Sequence, residues 1–512
     1  MSITFKKFFV THFPQDKKTY KEYFNVAFPI IFASILFALN NFIDNFMVTT
    51  INGGVAALSI ANIWTGLLLT IFVGISFIGT SAMAQFYGKQ DYKRARDTLK
   101  FRFIAASILS ISFFVTGLAI PEQLIRLFSP NESTVVVELG AKYIRIITVS
   151  WLLLSFSYTY GAALREVGLG KLQMYASIIT LSVNIIFNSI FIFALNLGVE
   201  GAAWASVIAR VAAMVMHIAL VSWKKKELVF NPIRLIIINS VVWKLMSRRF
   251  IGAILISASG LTVNLRNMLW NFGYPAGTIG DSTFQLSAAA IIGITGSISG
   301  IFLSAIPSIS ATTSIFVGWQ LGQNNIGAAK KHSTQLKGFN FLIGFIFSLL
   351  LVLVVLTLPY MTFVVRGQYQ AQLDLEGSTV NNVLITSEQA LINANLVQTQ
   401  MLREMQLTLI PITALLPTWM WFISSSNSVQ SGGWNSRLSI IELATNIFQF
   451  SWLIFTALFI SKFFQNSLWI SVIIFYLSDI PKILPYELVY YKANWATNVT
   501  DLKPATTKGT ND

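Results

Sequence analysis

Asp44 stands about 20 residues into the first long apolar run, with no basic residue beside it in sequence. A carboxylate at membrane depth is costly, and acids found there commonly mark ion or substrate pathways. Desolvation favours the neutral acid, so Asp44 can take up a proton or hold Na+ through oxygen ligands. A carboxylate at the outer interface, near a helix end, is the other reading of the same position. Asn184 and Asn188 are spaced i, i+4 and share one helix face. Their amide oxygens can complete a cation shell that one aspartate begins, or they can hydrogen-bond between helices. Arg210 and Arg266 fall inside the sixth and seventh apolar runs, where an arginine must snorkel or pair. Arg210 is placed to meet a carboxylate such as Asp44 or Glu200, and Arg266 to line a cavity and favour anionic ligands. A structural salt bridge or a water-exposed position is the alternative for both. Glu442, early in the eleventh run, is a further cavity candidate, and Asp479 lies in the twelfth.

Other chemistry finds little support. The chain has no cysteine, which excludes disulfides, thiolate metal sites and a Cys nucleophile. Three scattered histidines, His12, His217 and His332, form no HExxH pattern. Gly170-Lys171 is preceded by Arg165 where a P-loop requires glycine, and Gly277-Thr278-Ile279-Gly280-Asp281 misses the GxGD pattern of intramembrane aspartyl proteases by one position. No enzyme and no bound cofactor is expected. The net charge of +15 sits in short loops between apolar runs, which fits the anionic face of a membrane better than nucleic acid.

The elements that must position these residues are transmembrane helices. Hydrophobic residues make up 54% of the 512 and charged ones only 11%, against about 25% charged in soluble domains. Runs long enough to cross a bilayer lie near 24–50, 55–86, 101–120, 143–163, 172–196, 199–223, 247–272, 284–317, 336–363, 406–426, 437–461 and 466–490. The long second and eighth runs leave room for a kink, and Pro481 and Pro485 predict a broken twelfth. The expected fold is an all-α membrane protein of about twelve helices in two pseudo-symmetric six-helix bundles. Residues 1–22 read as an amphipathic cytoplasmic tail, 23–225 as the first lobe and 226–245 as a cytoplasmic linker. Residues 246–491 form the second lobe, with a polar external insertion at 364–405, and 492–512 a cytoplasmic tail. Lysine and arginine follow the second, fourth, sixth and eighth runs, as at Lys89, Lys93, Arg94, Arg102, Lys224–Lys226, Lys330 and Lys331. Connections such as Thr49–Ala57 and Asn196–Ala203 have none, so both termini are expected in the cytoplasm, in the inner or plasma membrane.

The halves echo one another. Gln85-Phe86-Tyr87-Gly88, with Ala95 after it, closes the second run; Gln320-Leu321-Gly322, with Ala329 at the same distance, closes the eighth. Val167-Gly168-Leu169-Gly170-Lys171 is matched by Gly432-Gly433-Trp434-Asn435-Ser436-Arg437. Repeated bundles are a transporter signature, because alternating access needs two bodies rocking about one site.

Several stretches resemble the multidrug and toxic compound extrusion (MATE) family. Asn40-Asn41-Phe42-Ile43-Asp44-Asn45-Phe46-Met47-Val48, followed by Gly53-Gly54 and Ala56-Ala57-Leu58, is similar to its first helix. Ala84-Gln85 with Gly88, Gly161-Ala162-Ala163-Leu164-Arg165-Glu166-Val167-Gly168, Asn184-Ile185-Ile186-Phe187-Asn188, Gly198-Val199-Glu200-Gly201 and the final Tyr490-Tyr491-Lys492 with Trp495 are similar as well. The resemblance covers nearly the whole chain and is strongest in the first half. It implies an efflux antiporter exchanging Na+ or H+ for amphipathic, usually cationic, compounds, with a small-molecule substrate, a bilayer as surroundings and a monomeric state. Many family members carry aspartate where this chain has Asn188, which leaves one formal negative charge. Asp44, Asn184 and Asn188, with Ser206, form the candidate ion-coupling or Na+ site; Asn40, Asn41, Arg210, Arg266 and Glu442 are cavity candidates. A flippase for a lipid-linked or anionic lipid is the alternative.

Overall fold

The apolar runs become helices because no polar backbone group can be left unpaired in hydrocarbon, and a helix satisfies all of them internally. A computed structural model of the protein describes the backbone of residues 2–48, 51, 54–128, 134–231, 234–274, 288–380 and 383–501. A short helix α1 (Ser2–His12) precedes α2 (Lys17–Met47), α3 (Gly54–Gly88) and α4 (Tyr92–Ala119). The first lobe continues with α5 (Pro121–Phe128), α6 (Thr134–Glu166), α7 (Gly170–Asn188) and α8 (Gly198–Lys224). The second lobe opens with α9 (Ser240–Asn264) and α10 (Arg266–Gly273), then α11 (Ala288–Leu303), α12 (Ile306–Thr313) and α13 (Trp319–Gly322). It closes with α14 (Ile326–Thr357), α15 (Arg366–Leu373), α16 (Ser387–Ser431), α17 (Asn435–Leu458), α18 (Leu468–Tyr476) and α19 (Asp479–Lys492).

Eleven stretches of the described chain are helical, long and apolar enough to cross a membrane. The pair α9–α10, entered past Lys244, Arg248 and Arg249, occupies the seventh position in order and completes twelve. Outward faces carry Ile108, Ile111, Val115 and Leu118 on α4, and Phe345, Ile346, Leu349, Leu350 and Leu353 on α14, all exposed. Apolar surface on that scale has its natural partner in lipid tails rather than water.

Helix limits depart from the sequence expectation in instructive ways. The second run stays one unbroken helix, whereas the eighth breaks into α11, α12 and α13, with a π-helical stretch at Ser314–Gly318. The twelfth breaks between α18 and α19, ahead of Pro481. Lys17, inside the expected tail, already starts α2, and α1 docks on the second lobe: Phe8 stacks on Trp421 and the His12 carbonyl lies where a Cβ on Gly338 would be. Residues 364–405 carry regular structure. They form α15, a hairpin of β1 (Thr379–Val380) and β2 (Val383–Leu384), and the first turns of α16, which bury Val397, Met401, Leu402 and Met405 beside Leu453 and Phe475. Gly53 and the Gly277–Asp281 stretch lie outside the described residues.

Each lobe has its own core. Phe72, Tyr143, Ile144 and Trp151 centre the first; Trp270, Tyr274, Met405 and Leu453 belong to the second. The lobes meet where α2 packs on α12 and α3 on α9. At the end bearing the basic loops the seam is closed by the echo motifs themselves. A Cβ on Gly88 would fall 2.4 Å from the Trp319 backbone, and one on Gly322 would fall 2.1 Å from the Gln85 carbonyl oxygen. The glycine echo is therefore a two-fold-related contact in which each helix end rests on the other. Gly168 and Gly433, the second echo, both adopt left-handed backbone (φ +81° and +89°) just past α6 and α16, where a glycine ends a helix without steric cost. The chain's last described residues strap this end together: Val499 N donates to Gln85 Oε1 (2.6 Å), Asn498 to Asn324 Oδ1 (2.8 Å), and Lys89 pairs with Asp501 (2.7 Å).

Because the obstacle at Gly322 is backbone, Gly322→Ala is expected to prise this end apart. The chain lacks cysteine, so Ser426→Cys in the cavity wall provides a clean probe. Labelling of Ser426→Cys by a membrane-impermeant maleimide from the basic-loop side should accelerate at least about threefold in the Gly322→Ala background, a shift of under 1 kcal/mol in population. An unchanged rate would mean that the seam opens without this contact.

Candidate functional site

Between the lobes lies a cavity of about 860 Å3, walled by α2, α3, α6, α7 and α8 on one side and α11, α12, α16, α17 and α19 on the other. Its lining is mostly apolar, with Phe37, Phe77, Tyr158, Phe422 and Tyr486 among small and hydroxylated residues. Broad aromatic and aliphatic walls with a few placed polar groups suit small amphipathic ligands.

Asp44 lies near the C-terminal end of α2, only 5% exposed, and faces this cavity. Its position is fixed by polar partners from two other helices, α7 and α8, and one from its own. Asn188 Nδ2 donates to Asp44 Oδ1 at 2.7 Å, and Asn40 Nδ2, one turn back, to Oδ2 at 3.1 Å. Ser206 Oγ stands 3.5 Å from Oδ2. Asn188 Nδ2 also donates to Asn184 Oδ1 (3.0 Å), and Asn184 Nδ2 reaches Ser206 Oγ (3.5 Å). The i, i+4 pair on α7 thus presents both amides to one carboxylate, as the spacing requires. Directly after Asn188 the helix widens into a π-helical stretch, Ser189–Ala194, a feature often found beside functional residues. Asn188 Oδ1 is buried and has no hydrogen-bond partner. An orphaned amide oxygen beside a carboxylate is a position that a cation or an ordered water would satisfy. No cluster of three His, Cys, Asp or Glu able to hold a metal occurs among the described residues.

Four of the cavity candidates are placed by the structure. Asn40, Arg210 and Glu442 line the wall with Asp44, and the side chain of Asn41 lies outside the described residues. Arg210 makes no ion pair with Asp44 or Glu200; its guanidinium lies 5.5 Å from the centre of the Phe37 ring. Arg266 is a correction: it is not in the cavity wall. Its Nη2 donates to Gln449 Oε1 (3.1 Å) and its guanidinium covers Phe475 inside the second lobe, because the break after α9 turns α10 toward α17. Asp479 is held in the same network, accepting from Gln449 Nε2 at 2.6 Å.

Sequence reading missed several cavity residues. Lys482 on α19 lines the wall and donates to Asn446 Oδ1 (3.1 Å) and Gln449 Oε1 (2.9 Å). Its signal was a lysine inside the last apolar run. Arg165, Glu166, Gln173 and His217 line the first-lobe side. Glu166 is tied to Arg102 (2.7 Å) and accepts from Thr80 (2.9 Å); Arg102, counted with the basic loop in sequence, is in fact buried within α4.

The MatE family model matches residues 29–190. A probable multidrug resistance protein, YoeA of Bacillus subtilis, is 22% identical over 286 residues, 54% of this chain and 59% of its own length. The multidrug export protein MepA of Staphylococcus aureus is 24% identical over 187 residues, 36% of this chain and 41% of its own. The chain thus spans about half the length of the curated relatives it matches. Solved structures extend the likeness to both lobes. A mutant of the Vibrio cholerae MATE transporter VcmN superposes with TM-score 0.72 at 15% identity, over 93% of this chain and 98% of that one. A MOP superfamily transporter from Pyrococcus furiosus, with a binding pocket of reverse polarity, gives 0.71 at 18% identity, over 92% and 96%. The first lobe thus matches the MatE family model, and both lobes share the two-bundle fold of solved MATE transporters.

Proposed function

We propose that the chain is a secondary active efflux antiporter exchanging Na+ or H+ for amphipathic organic compounds, many of them cationic. The observation that carries this reading is the buried Asp44 carboxylate, bonded to Asn188 and Asn40 and open to a cavity shared by both lobes. A cation or proton at that carboxylate removes the negative charge that would hold a cationic ligand, so ion and substrate compete for one wall. Ion binding drives transport only if it favours one arrangement of the lobes over the other. The Asn188 oxygen without a partner offers part of that difference, since a cation bound there gains a ligand that α7 already presents.

Orientation follows from the basic loops. With these in the cytoplasm, both termini lie inside, in the cell membrane, and the glycine-packed seam is the cytoplasmic gate. The names of YoeA and MepA, resistance and export proteins, support the direction of transport. A second reading, a flippase for an anionic lipid, draws on Arg210 in the cavity wall, but Arg266 does not join it there.

The test uses full-length protein in liposomes preloaded with a lipophilic cationic dye. An imposed Na+ or proton gradient should accelerate dye movement, and a matching ionophore should abolish the acceleration. Movement at the same rate with either gradient, with both and with neither would refute ion coupling.

A further inference from the structure

The first-lobe wall holds two arginines that no carboxylate pairs with directly. Arg165 near the end of α6 and Arg210 on α8 both line the cavity, and neither forms an ion pair or a hydrogen bond among the described residues. His217 follows Arg210 by two helical turns on the same face of α8, with Ala213 between them in the wall. On α6, Gly161 lies one turn before Arg165, and a Cβ there would fall 2.7 Å from Gln173 Oε1 and 3.3 Å from His217 Nε2. The face of α6 that carries Arg165 therefore meets the face of α8 that carries His217 and Arg210, with Gln173 of α7 between them. His217 Nε2 lies 2.7 Å from Gln173 Oε1, which holds the imidazole within this arc.

The two acids on that side are already engaged. Glu166 has one oxygen on Arg102 and the other on Thr80, and Asp44 has its oxygens on Asn188 and Asn40. Counting Asp44 and Glu166 against Arg102, Arg165 and Arg210 leaves one positive charge in surplus with both acids ionised. A guanidinium offers five N–H donors in a planar fork that matches an oxyanion. Keeping two such forks at membrane depth without a carboxylate is costly unless something else meets them.

We propose that Arg165 and Arg210 form an oxyanion subsite in the first lobe, which receives the carboxylate or phosphate group of an amphipathic substrate while its apolar part lies against the aromatic wall. The inference rests on the transport reading above only in taking the cavity to be the substrate site. It extends the substrate class from cations to zwitterions and amphipathic acids.

Binding to purified full-length protein in a neutral maltoside detergent tests this without any ion gradient, so failure here is separable from failure of ion-coupled transport. The probes are pyrenebutyric acid and its methyl ester, followed by fluorescence, with short-chain phosphatidic acid as competitor. Wild type should bind the acid at least about tenfold more tightly than the ester, about 1.4 kcal/mol. Arg165→Gln combined with Arg210→Gln should erase that preference while leaving ester binding in place, which also reports that the cavity is folded; Arg165→Lys should keep part of it. Displacement by phosphatidic acid as well as by free carboxylates would place a lipid headgroup among the ligands, and displacement by carboxylates alone would restrict the subsite to free acids. Equal binding of acid and ester by wild type, a comparison that needs no variant, would overturn the proposal. So would an acid preference that survives the double substitution.

Discussion

Asp44→Asn is expected to leave a folded protein whose dye efflux no longer responds to Na+ or proton gradients. The substitution is nearly isosteric, and the site can absorb it. Asn188 still donates to the retained oxygen, Asn40 can turn its amide oxygen toward the new NH2, and Ser206 can accept from it. What disappears is the charge. An amide neither titrates in the working range nor neutralises a bound cation, so the ion loses its reason to prefer one arrangement of the lobes. Moving a two-state equilibrium almost completely requires a differential affinity of about 10⁴-fold, and an ion with no differential affinity shifts nothing. The gradient-driven component in proteoliposomes should therefore fall at least about tenfold, to the level seen without a gradient, with Asp44→Glu retaining part of it. Full ion-driven efflux in Asp44→Asn would move the coupling role elsewhere, with Glu442 in the cavity wall of the second lobe the next acid to test.

The second large effect concerns stability. Arg102 on α4 is 1% exposed and places Nη1 on Glu166 Oε2 at 2.7 Å and Nη2 on Ser76 Oγ at 3.2 Å. Gly79 makes room for it, since a Cβ there would lie 2.4 Å from Arg102 Cδ. The pair ties α4 to the end of α6, and the Glu166 carbonyl accepts from Trp319 Nε1 of the other lobe (3.2 Å). Removing one partner of a buried pair strands the other charge, at a typical cost of about 3–5 kcal/mol, whereas replacing both by neutral groups of similar shape is far milder. Arg102→Met should thus lower the melting temperature in detergent markedly, and Arg102→Met with Glu166→Gln should recover most of the loss. A single variant as stable as wild type would show that water reaches Glu166 and that the pair is dispensable.

Much of this molecule could be read from one dimension. Twelve apolar runs become transmembrane helices because hydrocarbon permits no other backbone solution for such a chain, and their length is set by bilayer thickness. The Asn184–Asn188 spacing delivers both amides to one face because the α-helical period leaves no choice. Even the echo between Gly88 and Gly322 was visible, although its meaning was not. That each glycine makes room for the other lobe's backbone is a fact about two helix ends that the chain separates by more than two hundred residues.

What escaped the sequence is pairing. Arg102 reads as part of a basic loop until α4 is seen to begin at Tyr92 and carry it inward to Glu166. Arg266 reads as a cavity arginine until α10 turns it onto Gln449, and Lys482 goes unnoticed until α19 brings it to the wall. Residue types and helical period determine which groups lie at membrane depth and which share a face. Whether a buried charge meets a counter-charge, an amide or an open cavity depends on the rotation and breaks of helices distant in sequence. Those are settled only when the two lobes pack, because a charge is satisfied through a few ångströms of space and not along the chain.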